Sequence, residues 1–482
     1  MQVTRLRVGR LRRFAPLVAA AFALSACGSL NSLKQTFLGG PPDSQGAGPE
    51  RLTGFIGVAV ADEPQAALVG RDVLALGGNA ADAAVAVAFT MAVTLPSRAG
   101  LGGGGACLAY NPSKTGPGGG RPEAVLFLPT AGRAGGGDRA ASVPMLARGL
   151  FALHARYGKQ PFEGLLAGAE RFARFGVPAS RALVRDLTLV AGPLAMDPGS
   201  RAVFAPGGRP LGEGGTLQQP DLGATLSQLR TAGVGDLYQG ALARRMVDAS
   251  ALAGGPLTLE ELRAALPRTG APLTVQAGRD VVAFLPPPAD GGLAAAAAFQ
   301  ALRANPGDVA GAQARALGAA SRWRNGGGDP QAILASGTSG GAFPGLPASA
   351  GFAVLDREGN AVTCVTTMDN LFGTGRIAPG TGVLLGAAAG ANGLPLLAAA
   401  LAYNGNLNGF RAAVAGSGQE GAGLAAGLAM ASALRTGGTA AVTVPEPGRA
   451  DVISCSRYLP DSEGSCTWAV DPRGAGLAGA SN

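Results

Sequence analysis

The chain has 482 residues, a hydrophobic fraction of 47% and a formal net charge of +8 at pH 7. Because residues 1–26 hold five arginines and no acidic residue, the charge without them is only +3, and no later basic cluster alternates with aromatic residues. The composition therefore argues against nucleic-acid binding. His154 is the only histidine, which excludes a histidine metal cage and argues against a Ser-His-Asp triad. We predict neither a metal site nor a cofactor.

The N-terminus is typical of a bacterial lipoprotein signal. Five arginines precede an apolar run from Phe14 to Leu24, and Leu24-Ser25-Ala26-Cys27 has the form of a lipoprotein cleavage site. The run is too short to remain in the bilayer as a spanning helix. We expect cleavage after residue 26 and a lipid on Cys27 that anchors the protein in the cell envelope, facing the periplasm. An ordinary signal peptide with a coincidental cysteine is the alternative.

The first elements after the signal follow a tether. Residues 27–53 are rich in Gly, Pro, Ser and Asn and are predicted to be flexible. A strand is predicted from Phe55 to Ala61, and Asp62 is a candidate N-cap for a helix from Pro64 to Leu76. The next predicted helix, Ala80 to Val93, is apolar on nearly every face, so we expect it to be buried on all sides.

A glycine-rich segment, Gly100 to Gly105, satisfies the pattern G-x-G-x-x-G. A dinucleotide-binding loop follows a strand and begins a helix, whereas here a helix precedes the glycines and the strand-like Ala106 to Tyr110 follows them. We therefore interpret the segment as a tight backbone turn and not as a nucleotide site. Further along the chain, residues 143–265 are predicted to be mostly helical.

A β-hairpin is predicted in the last third of the chain. Two apolar, β-prone runs, Gly351 to Leu355 and Ala361 to Thr367, flank the polar turn from Asp356 to Asn360. If Asp356 pairs with Ala361, Ser349 lies opposite residue 368, beside Thr367. The hairpin would then bring a small hydroxyl residue at the start of one strand next to a threonine at the end of its partner.

The four cysteines after Cys27 fall into two pairs. Cys455 and Cys466 bracket a short polar loop in a chain that is predicted to be exported, which favours a disulfide between them. Cys107 and Cys364 lie in apolar, strand-like runs and are predicted to be buried thiols. We predict a metal site at neither pair.

The hairpin segment resembles the start of the small subunit of the γ-glutamyltransferases, which are N-terminal-nucleophile enzymes. The matching residues are Asp356, Gly359-Asn360-Ala361-Val362, Thr367 and Phe372-Gly373-Thr374-Gly375. Two further signatures of the family are similar to Gly77-Gly78-Asn79-Ala80-Ala81-Asp82-Ala83-Ala84 and Leu101-Gly102-Gly103-Gly104-Gly105. The resemblance implies an α+β fold, a four-layer αββα sandwich, in which residues 54–348 correspond to the large subunit and residues 349–482 to the small one.

The resemblance also implies a chemistry that needs no histidine. The family's catalytic threonine falls on Ser349, and the threonine that holds the nucleophile falls on Thr367. In the family, self-cleavage frees the α-amine of the nucleophile, which then acts as general base for its own hydroxyl. Residues 326–348, rich in Gly, Ser and Pro, are either the strainable loop that self-cleavage needs or a surface connector. Serine lacks the methyl group that fixes χ1 of threonine, so we expect its hydroxyl to be positioned less well.

Several positions that bind the γ-glutamyl group in the family carry other residues here. Asp369 replaces an Asn, and the family's oxyanion-loop glycines fall on Gln419 and Glu420, after Gly418; we assign Asp369, Gly418 and Gln419 as candidate substrate-binding residues. The family's Arg, Gln, Asp and Ser-Ser fall on Leu128, Ala388, Ala391, Leu397 and Ala398. Each lost contact to a desolvated zwitterion costs on the order of 1–3 kcal/mol, so we expect no useful affinity for glutathione.

Three functions are compatible with these observations. The first, which we favour, is a divergent envelope lipoprotein of the family that lacks γ-glutamyl activity and acts without catalysis, in binding or as a scaffold. The second is an N-terminal-nucleophile amidohydrolase or acyltransferase that uses Ser349 on a small peptide or amide. The third is a genuine γ-glutamyltransferase or glutathione hydrolase. The sequence makes no prediction of the oligomeric state.

Overall fold

The computed structural model describes residues 54–133, 137–343, 348–389, 393–439 and 444–481. The predicted signal peptide, Cys27 and the predicted tether lie outside these residues, and so does Ala391. No helix within the described ranges is both long and apolar enough to cross a membrane.

Nineteen strands are present in the described part of the chain, and most belong to two antiparallel sheets. The first sheet has the order β19-β1-β11-β12-β2-β3-β8 and the second β18-β17-β16-β15-β10-β9. The strands are β1 (Gly57–Ala61), β2 (Gly104–Tyr110), β3 (Glu123–Phe127), β4 (Thr130–Ala131), β5 (Ser142–Val143), β6 (Val177–Pro178), β7 (Thr216–Leu217), β8 (Arg268–Gly270), β9 (Leu273–Ala277), β10 (Asp280–Phe284), β11 (Ser349–Asp356), β12 (Ala361–Thr367), β13 (Ile377–Ala378), β14 (Val383–Leu384), β15 (Ala398–Asn404), β16 (Gly409–Ser417), β17 (Arg449–Leu459), β18 (Cys466–Ala469) and β19 (Leu477–Ser481).

The described residues form sixteen α-helices, most of them between β5 and β11. The segment predicted to be helical therefore is so, and a short helix also interrupts the predicted loop 326–348. The helices are α1 (Pro64–Ala75), α2 (Ala80–Thr94), α3 (Pro96–Ala99), α4 (Leu146–Tyr157), α5 (Phe162–Leu165), α6 (Ala167–Phe175), α7 (Arg181–Ala195), α8 (Pro198–Phe204), α9 (Pro220–Ala232), α10 (Asp236–Gln239), α11 (Ala241–Leu252), α12 (Leu259–Ala264), α13 (Gly291–Ala304), α14 (Val309–Gly326), α15 (Pro330–Ser336) and α16 (Ala422–Thr436).

The two sheets stack between two layers of helices, which confirms the predicted four-layer αββα sandwich. Phe352 and Val354 of β11 belong to the apolar cluster that contains α2, whereas Ala353 and Leu355 belong to the cluster between the sheets. This division follows from the alternation of side chains along a strand. On the far side, α13 and α16 pack on the second sheet. All fifteen residues of α2 are buried, as its uniformly apolar sequence predicts.

The two segments that contain Asn79 and Asp356, both of which resemble family signatures, are joined by hydrogen bonds. Asn79 caps α2, because its side-chain oxygen accepts hydrogen bonds from the N–H groups of Ala81 and Asp82. The Asn79 N–H in turn donates to the Asp82 carboxylate, which completes a capping box. The Ala80 N–H donates to Asp356 Oδ2 at 3.0 Å. Asp356 therefore ties the N-terminus of α2 to the turn of the β11–β12 hairpin, and the role of these residues is structural.

The structure corrects two of the sequence-based predictions outside the hairpin. Asp62 does not cap α1: the cap is Glu63, whose carboxylate accepts from the Ala66 N–H. Cys107 and Cys364 are buried but are not free thiols, because they form a disulfide. They are direct partners in the β2–β12 ladder, a pairing between distant segments that the sequence does not reveal. The predicted disulfide between Cys455 and Cys466 is present.

Candidate active site

The β11–β12 hairpin brings Ser349 directly opposite Thr367. The predicted register was wrong by one residue, because Leu355 and not Asp356 pairs with Ala361. Asp356 is instead the last residue of β11, and its N–H donates to the Asn360 carbonyl across the turn. With the shift, the side chains of Ser349 and Thr367 share the face of the sheet that looks toward the second sheet, since Ala353 and Val365 on the same faces lie in the inter-sheet cluster.

Thr367 contacts the peptide bond that precedes Ser349. Its hydroxyl donates a hydrogen bond to the carbonyl oxygen of Ala348 at 3.0 Å and accepts one from the Asp369 N–H at 2.9 Å. The Ser349 side chain is 1% exposed, and its Oγ has no hydrogen-bond partner among the described residues. The predicted pair is therefore in place, but the threonine hydroxyl is bonded to the preceding carbonyl and not to the serine hydroxyl.

The glycine-rich turn packs against this pair. A Cβ on Gly103 would lie 2.2 Å from the Thr367 carbonyl oxygen, and one on Gly105 would lie 2.3 Å from that of Val365. Because real side chains cannot occupy such distances, only glycine allows β2 to begin this close to the end of β12. The turn thus lies in close backbone contact with the end of β12 that carries Thr367, which agrees with its interpretation as a tight backbone turn.

Arg98, which the sequence analysis did not single out, holds the start of β11 from the other side. Its guanidinium donates to the Ser349 carbonyl oxygen at 3.3 Å and makes a two-bond ion pair with Asp186 at 2.8 and 2.6 Å. Asp186 is 1% exposed and also accepts from the Ser97 hydroxyl. A bidentate pair of this kind fixes the orientation of the guanidinium, so Arg98 carries a defined donor to the backbone of Ser349.

Asp62 occupies the adjoining position at the end of β1. Its carboxylate accepts from the Gly351 N–H at 2.8 Å, and its own N–H donates to the Gly351 carbonyl. Burial raises the pKa of Asp62, although the Gly351 N–H, Arg98 and the Ser417 hydroxyl favour its charged form. The residue predicted to cap a helix therefore binds the backbone of β11 at Gly351.

A cleft of about 390 Å³ opens beside Ala348. Its walls include two of the predicted substrate-binding residues, Gly418 and Gln419, which follow β16. Gly418 has a φ of +103° and a Cβ there would lie 2.1 Å from the Pro447 carbonyl oxygen, so the position requires glycine. The charged groups that line the cleft include Asp62, Arg98, Asp186 and Arg449.

Asp369, the third predicted substrate-binding residue, lies two residues after Thr367 in a left-handed conformation with a φ of +57°. It is 5% exposed, and neither carboxylate oxygen has a hydrogen-bond partner in the described part of the chain. Burial raises the pKa of Asp369 to about 7, with no opposing cation. An unpaired buried carboxyl group is unfavourable for folding, which makes Asp369 a candidate for function.

Comparison with known proteins identifies the family. The family model described as Gamma-glutamyltranspeptidase matches residues 66–317, more than half of the chain. The chain belongs to the gamma-glutamyltranspeptidase family. A glutathione hydrolase proenzyme from Bacillus subtilis (strain 168) is 30% identical over 269 residues, which are 52% of this chain and 45% of that protein. The acylase ACY 1 proenzyme of Pseudomonas sp. (strain SE83) is 32% identical over 230 residues, 44% of this chain and 41% of that protein.

The chain therefore spans somewhat under half of the length of each of these two curated relatives. The crystal structure of cephalosporin acylase from Bacillus halodurans superposes with a TM-score of 0.69, covering 91% of this chain and 98% of that chain, at 19% identity. At this level of identity the likeness concerns the fold alone. It agrees with the four-layer arrangement of sheets and helices.

The residues on which the resemblance places the family's Arg, Gln and Ser-Ser are apolar here, and they are buried or half-buried. Leu128 packs against the layer between the sheets, and Leu397 and Ala398 are 1% and 0% exposed. Ala388 contributes only its backbone, whose N–H donates to the Ala140 carbonyl. The described members of this set supply no charge that could pair with an α-carboxylate or an ammonium group.

The sequence analysis singled out Ser349, Thr367, Asp369, Gly418 and Gln419, but it did not single out Arg98 and Asp186, which hold the start of β11. Arg98 stands in Leu95-Pro96-Ser97-Arg98-Ala99, directly before the glycine-rich turn. A single arginine in an otherwise apolar stretch was the available signal, since such a residue is seldom buried without a partner. Its partner Asp186 lies 88 residues away in α7, which the sequence alone does not indicate.

Proposed function

We propose that this chain is an N-terminal-nucleophile amidohydrolase that cleaves itself between Ala348 and Ser349 and then uses Ser349 on an amide substrate other than glutathione. The observation that carries the proposal is the hydrogen bond from Thr367 Oγ1 to the Ala348 carbonyl oxygen. This carbonyl belongs to the bond that must break, and a donor aimed at it stabilises the negative charge that develops when it is attacked.

The proposed self-cleavage proceeds through an ester. Ser349 Oγ attacks the carbonyl carbon of Ala348, the C–N bond breaks, and the proton of the hydroxyl passes to the departing nitrogen. Water then hydrolyses the ester, which leaves a carboxylate on Ala348 and a free α-amine on Ser349. Arg98 and Asp62 hold the backbone of residues 349 and 351 during this exchange, so the attacking atom stays beside its target.

The freed α-amine supplies the base for turnover. Its reference pKa of roughly 7.7–8.0 leaves part of it neutral at physiological pH, so it accepts the proton of Ser349 Oγ as that oxygen attacks the substrate carbonyl. The acyl-enzyme forms, the amine of the substrate leaves with a proton, and water releases the acid. None of these steps requires a histidine.

The site is poorly suited to the γ-glutamyl group. On the resemblance, the α-carboxylate of that group would face Leu128 and Leu397 and its ammonium would face Ala388. These side chains offer neither charge nor hydrogen bonds, and burying each ion unpaired costs several kcal/mol. Purified protein is expected to release no measurable p-nitroaniline from γ-glutamyl-p-nitroanilide. Turnover that disappears in Ser349→Ala would instead support a genuine γ-glutamyltransferase.

Denaturing electrophoresis of the purified wild-type chain and of Ser349→Ala tests the proposal. We expect two bands for the wild type and one for the variant. A single wild-type band near the mass of the whole mature chain would favour the second candidate, a non-catalytic binding or scaffold protein. The observation in favour of that candidate is that Ser349 Oγ is buried without a hydrogen-bond partner among the described residues.

We also propose that Cys27 carries a lipid and anchors the protein in the bacterial cell envelope. The support is the order of the basic, apolar and Leu-Ser-Ala-Cys segments in the sequence. Acyl chains at the N-terminus would supply the membrane affinity. The Cys27→Ala variant should leave the membrane fraction, and its retention there after a salt wash would contradict the anchor.

A further inference from the structure

A second cavity, of about 950 Å³, shares no lining residue with the cleft beside Ala348. Its walls are formed by α8, the start of α9, the end of α11 and the ribbon made of β13 and β14. Cavities of roughly 300–1,000 Å³ are the usual size for sites that bind small molecules. Neither the proposed self-cleavage nor the proposed amide hydrolysis uses this cavity.

The walls of the cavity are mainly apolar. Leu222 is 3% exposed and belongs to the apolar core, whereas Leu252, at the end of α11, is 79% exposed. A large apolar side chain that lines a cavity and faces water gains free energy when an apolar ligand covers it. Further apolar residues of the walls are Val203, Leu211 and Ile377.

The charged residues that line the cavity are both acidic. Asp197 caps α8 and Asp221 lies in the first turn of α9, and no lysine or arginine is among the described lining residues. Arg376, which directly precedes β13, is bound to Asp138 by hydrogen bonds of 2.6 and 2.5 Å. Each of the two helix N-termini adds at most about half a positive charge, so the two carboxylates leave the cavity with about one unit of negative charge.

The cavity is formed before any ligand binds. The Ser200 hydroxyl joins α8 to the chain before the ribbon by donating to the Gly375 carbonyl at 2.8 Å. The Thr225 hydroxyl joins α9 to the ribbon by donating to the Thr381 carbonyl at 2.7 Å. A ligand therefore enters a preformed space, and its binding is not weakened by the cost of ordering these elements.

A small amphiphile with one ammonium group matches both the walls and the charge. Its apolar part would cover the apolar side chains, and its ammonium group would pair with a carboxylate. Asp197 Oδ2 accepts from the Ser200 N–H at 2.7 Å, so its Oδ1 and the carboxylate of Asp221 can accept from the ligand. A primary ammonium is compact and has three donors. An anionic amphiphile of the same length would be repelled by both carboxylates.

We propose that this cavity binds a small organic cation with an apolar chain, and that Asp197 and Asp221 select its positive charge. The site lies outside the candidate active site. The inference therefore goes beyond the proposed function and does not depend on self-cleavage.

Calorimetric titration of the wild-type chain with octylamine, 1-octanol and octanoate tests the inference, because the three probes share a chain and differ in charge. We expect octylamine to bind saturably and about 10- to 100-fold more tightly than octanol, the contribution of a charge-assisted hydrogen bond, and octanoate to bind least. Hexylamine should bind more weakly than octylamine, by up to about 4-fold for each missing methylene group. Equal binding of octylamine and octanol, or no saturable binding of octylamine, would overturn the inference.

Two pairs of variants locate the bound amine. In the Asp197→Asn/Asp221→Asn double variant the preference for octylamine over octanol should fall to about one, and asparagine still caps α8. Glu260→Gln, in the first turn of α12 and outside the cavity, should keep the preference. Ala202→Trp, which fills part of the cavity, should abolish the binding of octylamine, and Ala264→Trp, at an exposed helical position elsewhere, should not. Unchanged binding in both the double variant and Ala202→Trp would overturn the inference.

The Ser349→Ala variant separates this inference from the proposed function. It should remain uncut and still bind octylamine as the wild type does. A wild-type chain that is cut but does not bind octylamine would overturn this inference alone, and an uncut wild type that binds it would count against self-cleavage alone. A dimer in sedimentation velocity that excludes octylamine would assign the apolar walls to a second copy of the chain and would likewise overturn the inference.

Discussion

Each end of the β11–β12 hairpin buries an aspartate, and the two aspartates differ in their hydrogen bonds. At the turn, Asp356 accepts from the Ala80 and Asn360 N–H groups and from the Asn360 side chain. At the open end, Asp369 has no partner for either oxygen among the described residues. Burial raises the pKa of each to about 7.

The difference in hydrogen bonding distinguishes Asp356, which stabilises the fold, from Asp369, which lies in the candidate site. A carboxylate with a full set of donors stabilises the fold and leaves nothing for a ligand, whereas one without donors destabilises the fold and retains its capacity to bind. Both residues lie in segments that resemble the family's signatures. Only their hydrogen bonds distinguish a structural role from a functional one.

The largest expected effect comes from removing the unpaired charge. The folded-state pKa of Asp369 is raised from 3.8 to about 7, so the native state binds its proton more tightly than the unfolded chain does. The resulting stability is present below pH 4 and is lost as pH rises to about 7. In Asp369→Asn this loss is absent, so relative to wild type the variant should gain up to about 4 kcal/mol in unfolding free energy between pH 4 and pH 8. Urea titrations at the two pH values measure the unfolding free energy of both proteins. If the variant and the wild type differ by the same amount at pH 4 and at pH 8, the burial of an unpaired charge is contradicted.

The Thr367→Val variant removes one hydrogen-bond donor at the open end of the hairpin. The valine keeps the shape of the side chain but cannot donate to the Ala348 carbonyl, and loss of one such donor slows a reaction by about 100- to 1000-fold. Appearance of the small fragment, followed by electrophoresis during expression, measures the rate. Thr363→Val is the matched control, since Thr363 lies in the same strand but donates to the Val414 carbonyl. Equal cleavage in both variants would remove Thr367 from the mechanism.

A substitution at the turn end of the hairpin should lower the stability of the protein. Asp356→Ala leaves the N–H groups of Ala80 and Asn360 without their partner, and unfolding free energy should fall by about 2–3 kcal/mol. Self-cleavage should persist in the folded fraction, because Asp356 lies at the opposite end of the hairpin. A variant as stable as wild type that fails to cleave would reverse the roles assigned to the two ends.

The smallest effect is expected for Arg98→Lys. Lysine keeps the positive charge near Asp186 but cannot form two bonds to it and also reach the Ser349 carbonyl. Loss of one hydrogen bond of about 1 kcal/mol should slow cleavage by about 5-fold. Arg71→Lys, at a surface pair with Asp72, is the control. A variant that cleaves at the wild-type rate would limit Arg98 to a structural role.

The sequence predicted those structural features that depend on the local pattern of residues. Alternating apolar residues around a polar turn predicted the hairpin, and the uniformly apolar α2 predicted a buried helix. The predicted register was wrong by one residue because the local sequence allows either Leu355 or Asp356 to pair with Ala361. The observed pairing, through Leu355, goes with the hydrogen bond from the Ala80 N–H of α2 to Asp356. The Cys107–Cys364 disulfide and the Arg98–Asp186 pair also depend on contacts between distant segments. No local pattern encodes them.

Mass spectrometry of the purified wild-type chain tests the central claim most directly, because it identifies the residue at which the chain breaks. The account predicts two fragments, the smaller one beginning at Ser349 with an unmodified α-amine, and a single uncut chain for Ser349→Ala. An uncut wild-type chain, or fragments that begin at another residue, would contradict the assignment of Ser349 as an N-terminal nucleophile.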